Sequence, residues 1–288
     1  MRLTKKLPAL NVILFIATVG TTLIAGYFLS LPLARMGMFD KPWHGAIAFS
    51  LGVMGIIGSH ELGHKLMADK RGIEASFPYF IPAPTFLGTF GAIIKMKTRP
   101  QDKNSLFDVG AAGPIGGFLV LLPVTALGII WSTPITAEML PEGTIALPDP
   151  LLFKAMGKLL LDIPEGTHLL LHPLAFAGWV GMLITMLNLM PVGVLDGGHI
   201  TRALFGDRTL FRLSSVQVSS HRLVSLGGVL ATALLGYWPM AILMLFFGTA
   251  GHPGPTNDNL PLSKGRKMIG VALFFLLVIC AAPIRTLV

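Results

Sequence analysis

Hydrophobic and polar positions in this chain fall into long blocks rather than into an amphipathic period. Stretches without a charged residue cover 7–34, 42–60, 109–137, 166–195, 223–257 and 268–284. A bilayer-spanning helix needs about 20 consecutive apolar residues, so the blocks predict six transmembrane spans and an all-α polytopic membrane protein. The last block is short. The fifth contains Gly227, Gly228, Gly236 and Pro239, and is either one tilted helix or a broken pair. Block 7–34 has no small-residue cleavage site before Arg35, so it is expected to be a retained helix rather than a removed signal peptide.

Two stretches fit neither span nor ordinary loop. Phe77-Pro78-Tyr79-Phe80-Ile81-Pro82-Ala83-Pro84 is apolar, but its prolines forbid a continuous helix. Thr89-Phe90-Gly91-Ala92-Ile93-Ile94-Lys95-Met96-Lys97 is rich in β-branched and aromatic residues, which predicts a strand. Irregular backbone at membrane depth needs protein or a wet cavity to satisfy its polar groups. A membrane-associated hairpin over 77–97 lining a site, or a connector lying on the surface, are the two readings. The stretch 135–167, rich in proline, predicts an outside loop with one short interfacial helix over 151–161.

Composition agrees with the membrane reading. Of the 288 residues 53% are hydrophobic and only 12% charged, about half the charge share of a soluble domain; mean hydropathy is +0.72. The net charge of +8 does not point to nucleic acid, because the Lys and Arg residues sit in loops flanking the spans. With the N-terminus inside, the first three inside segments hold fourteen of them and the first two outside loops four, which favours a cytoplasmic N-terminus. Beyond the fourth span the count is ambiguous. A single fifth helix puts Lys264, Arg266 and Lys267 outside, against the rule; a broken pair puts them inside. The lone cysteine, Cys280, excludes a disulfide framework and a thiolate metal site.

The chemistry-bearing motif is His60-Glu61-Leu62-Gly63-His64, at the end of the second span. On a helix, residues i and i+4 share a face, so both imidazoles can grip one zinc ion. Glu61 lies beside that face and can take a proton from a zinc-bound water. Ionisable residues inside an apolar span are costly and mark function. A zinc hydrolase needs a third protein ligand and an open position. Position 70 is Lys70, which excludes a third histidine at metzincin spacing, and Glu138, Glu142 and Glu165 fall on the outside. Glu74 is on the correct side, only ten residues on. The stronger candidate is Asp196, in Asn188-Leu189-Met190-Pro191-Val192-Gly193-Val194-Leu195-Asp196-Gly197-Gly198, which the loop charges return to the side of His60 and His64.

His60-Glu61-Leu62-Gly63-His64, Asn188-x-x-Pro191 with Asp196-Gly197, and Gly113-Pro114-Ile115-Gly116-Gly117 together resemble the site-2 protease family of intramembrane metalloproteases, in its short prokaryotic and plastid branch. The resemblance implies one domain over 1–288, with a three-span catalytic core at about 42–200 and peripheral spans at 7–34 and 223–284. It implies one zinc per chain on His60, His64 and Asp196, Glu61 as base, and Asn188 on the substrate backbone or the oxyanion. The implied partners are a transmembrane-protein substrate and the bilayer. The implied reaction is regulated intramembrane proteolysis. A prokaryotic plasma membrane is the default setting and a plastid membrane the alternative, with the opening cytoplasmic because the ligands lie near that end of their helices. The rivals are a zinc transporter, which needs ligands on both sides of a pathway or an internal repeat, an inactive scaffold, and a protease with a glutamate third ligand.

Overall fold

Proline and short polar residues set where the long helices start, and the chain is mostly helical. The computed structural model describes residues 8–136, 138, 147–161, 167–207, 209–213, 216–248 and 252–281. Glu142, Asp162 and Glu165 of the expected outside loop, and the outer ends of blocks 7–34 and 268–284, lie outside the described residues. Helix α1 (Ala9–Arg35) follows the extended Pro8. Helix α2 (Pro42–Lys70) carries proline in its first turn, where a missing N–H costs nothing. Helix α3 (Lys103–Ile130) is capped by the Asp102 carboxylate, which accepts from the Ser105 N–H at 2.7 Å. Among the described residues these three are long and apolar enough to cross a membrane. Ile13, Ile16 and Phe28 of α1 point outward, as lipid-facing side chains would.

The fourth apolar block forms a shorter helix, α5 (Pro173–Leu189), after the small amphipathic α4 (Leu151–Leu160) expected in the loop. Two-stranded antiparallel sheets β3 (Thr133–Thr136) with β4 (Thr167–Leu170), and β5 (Thr209–Leu213) with β6 (Val216–Ser219), close two of the loops. Between the latter two sheets stands α6 (Asp196–Phe205). Helix α2 packs on α1, α3 and α5, and α3 also takes α6 on its flank. The core of Leu106, Phe107 and Leu121 from α3, with Met182 and Met186 from α5, is fully buried.

The fifth block is broken. Helix α7 (Ser220–Leu234) and α8 (Trp238–Gly248) pack on each other across a tight turn in which Gly236 has φ 91°. At 15 and 11 residues they are roughly 22 and 16 Å long, each short of a bilayer core of about 30 Å. The chain then returns to the start of α3. The Thr256 N–H donates to Pro100 O at 2.9 Å and the Asn257 N–H to Gln101 O at 2.8 Å. Helix α9 (Lys264–Cys280) therefore begins at the Lys103 end of α3. The fifth block is thus a broken pair of helices rather than one tilted helix.

Strands β1 (Tyr79–Pro82) and β2 (Thr89–Ile93) form an antiparallel hairpin, pairing Tyr79 with Ile93 and Pro82 with Thr89, with a bulge between. Helix α1 holds it. The Asn11 side chain donates to Phe77 O at 3.0 Å and Pro78 O at 2.7 Å, and Thr21 Oγ1 to Gly88 O at 2.6 Å. Phe80 is buried edge-on against Phe15 of α1, so its ring is structural.

At the other end, Asp108 of α3 receives Arg71, from the end of α2, and Arg266 of α9, the latter at 2.7 and 2.8 Å. Two distant segments are thus tied to one carboxylate. Asp108→Ala leaves two part-buried guanidinium groups without their acceptor. It should destabilise the protein by about 2 kcal/mol, read as a lower melting temperature in detergent, and Asp108→Glu should recover part of the loss.

Candidate metal centre

Two turns of α2 and the first residue of α6 meet over a face of α3 that has no side chains. His60, Glu61 and His64 are all buried. Asp196 opens α6 after a turn in which Pro191 lacks an N–H and Gly193 takes φ 49°. The fourth apolar block does not stay one helix to Leu195: α5 stops at Leu189 and a new helix begins at Asp196, where the positive helix terminus favours a carboxylate.

The donor atoms converge. Asp196 Oδ2 lies 3.1 Å from His60 Nε2, Asp196 Oδ1 lies 3.2 Å from His64 Nε2, and the two Nε2 atoms are 3.1 Å apart. His64 Nδ1 donates to Val109 O at 2.8 Å, a partner that assigns the proton to Nδ1 and leaves an Nε2 lone pair facing the cluster. That lone pair faces a carboxylate oxygen and a second imidazole nitrogen. One proton cannot satisfy all three, whereas a cation can. A tetrahedral zinc with ligands at about 2.0–2.1 Å has them about 3.3 Å apart, close to the edges observed. Among the described residues, His60, His64 and Asp196 are the group able to hold a metal. Glu74, the other candidate, is exposed on the connector, where its backbone bonds Thr98 and Lys97.

The glycine-rich run of α3 makes the room. A Cβ on Gly113 would overlap the His64 imidazole, and one on Gly117 would stand 3.2 Å from His60 Cβ. From sequence the Gly113–Gly117 spacing fits either close helix packing or a substrate-binding role; what approaches closely here is the pair of imidazole rings. Glu61 borders the group, and the Ile94 backbone N–H at the end of β2 faces its carboxylate. The Asn188 carboxamide is 3.4 Å from His60 Nε2, longer than a strong hydrogen bond, so it stands at the edge of the cluster.

The chain matches the model of peptidase family M50 over residues 48–235. It belongs to that family, the site-2 proteases. Among curated relatives it is 32% identical over 246 residues to the probable zinc metalloprotease EGY1, chloroplastic, of Arabidopsis thaliana, covering 83% of this chain and 43% of that protein. It is 33% identical over 237 residues to the probable zinc metalloprotease EGY2, chloroplastic, of Oryza sativa subsp. japonica, covering 78% of this chain and 40% of that protein. The more distant probable zinc metallopeptidase EGY3, chloroplastic, of Arabidopsis thaliana is 28% identical over 280 residues, 90% of this chain and 46% of its own. The chain thus spans less than half the length of the curated relatives it matches.

Within this M50 chain, sequence reasoning missed the residues around α6. His252 carried no assignment, yet its Nε2 lies 3.2 Å from His199 Nδ1. Arg202 is buried and pairs with Asp258 at 2.8 and 3.2 Å, with Lys103 at 3.4 Å. Against the upward push of its partial burial, these cations hold the Asp258 carboxyl below its usual range.

Gly113→Ala tests the room directly. The Val109 bond keeps His64 from swinging away, so the added methyl should displace its ring and lower zinc affinity about 10-fold or more. Zinc titration of the purified protein checks it. An unchanged affinity would mean that the two helices can separate at no cost.

Proposed function

We propose that this chain is an intramembrane zinc metalloprotease, hydrolysing a peptide bond within or near a transmembrane helix of a membrane-protein substrate. The observation that carries the reading is the convergence of His60, His64 and Asp196 with Glu61 beside them, inside a bundle of apolar helices. His60, His64 and Asp196 would hold one zinc ion. Zinc supplies Lewis acidity, making water a nucleophile near neutral pH and polarising a carbonyl oxygen. Glu61 takes the proton from the attacking water and returns it to the leaving amine, and the Ile94 N–H orients its carboxylate. Asn188 binds the substrate backbone or the developing oxyanion.

The whole of 1–288 forms one metalloprotease domain whose apolar blocks lie in the membrane. The block 223–257 enters and leaves on one side as the α7–α8 pair. With Arg71, Lys103 and Lys264 at one end, the positive-inside bias makes that end, the N-terminus and the active-site opening cytoplasmic. A prokaryotic plasma membrane is the proposed setting. A substrate helix satisfies its own backbone bonds and must unwind before a carbonyl is open to attack. Among the described residues β2 pairs with β1 alone and runs past Glu61, so its open edge can pair with the unwound stretch.

Glu61→Gln should keep zinc but lower cleavage of a membrane-embedded test substrate by at least ~100-fold. Asp196→Ala should lower both zinc content and cleavage. Full activity in either variant sinks the assignment, and zinc uptake into vesicles by the Glu61→Gln protein would instead favour a transporter.

A further inference from the structure

A second histidine cluster stands behind Asp196, and its hydrogen bonds fix its protons. The Gly254 N–H donates to His252 Nδ1 at 2.9 Å, so that nitrogen is an acceptor and His252 carries its proton on Nε2. His252 Nε2 lies 3.2 Å from His199 Nδ1, with the rings edge-to-face and their centroids 4.6 Å apart. His252 is thus the donor, and His199 is left with its own proton on Nε2. The arrangement has a built-in competitor. His199 Nδ1 is also 3.1 Å from Leu195 O, to which it would donate if it carried the proton.

His199 stands one helical turn after Asp196, on the same face of α6. A Cβ on Gly110 would lie 2.8 Å from His199 Cβ and 3.2 Å from Asp196 O, so both residues border α3 at Gly110. Val109, the preceding residue, is the one whose carbonyl binds His64. His199 therefore adjoins the metal centre. The position of the His252 loop is itself fixed, by Arg202–Asp258 and by the backbone bonds of Thr256 and Asn257 to Pro100 and Gln101.

We propose that His252 is a positioning residue that locks His199 in its Nε2–H tautomer, and that His199 so locked is a neutral hydrogen-bond donor to the substrate carbonyl as charge develops on it. The second half rests on the protease reading above; the tautomer lock does not. A neutral donor fixed before reaction is the kind of group that stabilises a developing oxyanion, and an unlocked His199 would present an acceptor there instead.

The test is 15N NMR of the histidine-labelled, zinc-loaded full chain in detergent, with His199→Asn identifying the His199 signals. The wild type should show His199 protonated on Nε2. His252→Ala should move the proton to Nδ1, onto Leu195 O, whereas His252→Gln, whose carboxamide can donate, should keep it on Nε2. If His252→Ala fails to hold zinc, His252→Glu takes its place, since a carboxylate only accepts and draws the proton onto His199 Nδ1. Turnover should follow the tautomer: kcat falls about 10-fold or more in the Ala or Glu variant and recovers in Gln, with KM little changed. A wild-type proton on Nδ1, or an unchanged tautomer without His252, overturns the lock. A switched tautomer with unchanged kcat overturns the donor role. Absence of any wild-type cleavage would count against the protease reading, and the NMR result would still decide the lock.

Discussion

The structure turns on a close approach that a single methyl group would prevent. Two imidazoles of α2 and a carboxylate of α6 come within 3.1–3.2 Å of one another, and the helix behind them has no side chains on that face. Gly110, Gly113 and Gly117 lie at spacings of three and four along α3, so they share one stripe. His199, His64 and His60 rest against them in that order. In an aqueous protein an imidazole can be accommodated by moving a surface helix outwards. Here α3 is held by α2, α5 and α6 together, and the room has to be provided by the sequence of α3 itself. The Val109 carbonyl then becomes the natural partner for His64 Nδ1, because the helix lies near enough for its backbone to be reached.

The same requirement explains why the C-terminal third is not an accessory. Asp196 begins a ten-residue helix too short to be stable by itself, and its direction depends on what holds it. Its inner face packs on α3; its far side is held by the buried Arg202, through Asp258, to the segment that also bonds Pro100 and Gln101. That segment follows the α7–α8 pair, so the turn at Gly236 matters to the metal centre although it lies far along the chain. A span passing straight through would deliver 252–263 to the other side. The broken pair returns it to the side where α3 begins. Asp108, with Arg71 and Arg266, ties down the same end independently.

Much of the site was legible because its chemistry is local or follows from charge. His60, Glu61 and His64 come from one helical turn, and Asp196 was found by asking which carboxylate the loop charges bring back to the same side. The long helices were legible as well, since α1, α2 and α3 carry uncharged blocks of about the length a bilayer needs. What sequence could not show was the path of the chain beyond Asn188. A Pro–Gly stretch is compatible with a loosened helix or with a stop and a restart. The choice depends on the docking of α6 against Gly110, a tertiary fact. His252 was illegible for a related reason. A lone histidine in a loop has no period or spacing to identify its partner, and His199 is 53 residues away. The glycines of α3 were visible, but whether they admit a helix or a ring cannot be read from their spacing.

On the proposed reading, the hairpin is where the site would meet an extended substrate within a membrane. Backbone groups left unpaired in hydrocarbon cost several kcal/mol each, so an unwound peptide needs replacement partners along its length. Of the described elements near Glu61, β2 offers such partners, having a neighbour on one side only. Its position depends on α1, since Asn11 binds the carbonyls before β1 and Thr21 the carbonyl before β2. Helix α1 contributes no candidate ligand, yet it sets the distance between the strand edge and Glu61. On the proposed reading, the bond to be cut is chosen by that distance. On that same reading, the scissile carbonyl would be the one whose register along β2 falls opposite the end of the strand, where the Ile94 N–H faces the base.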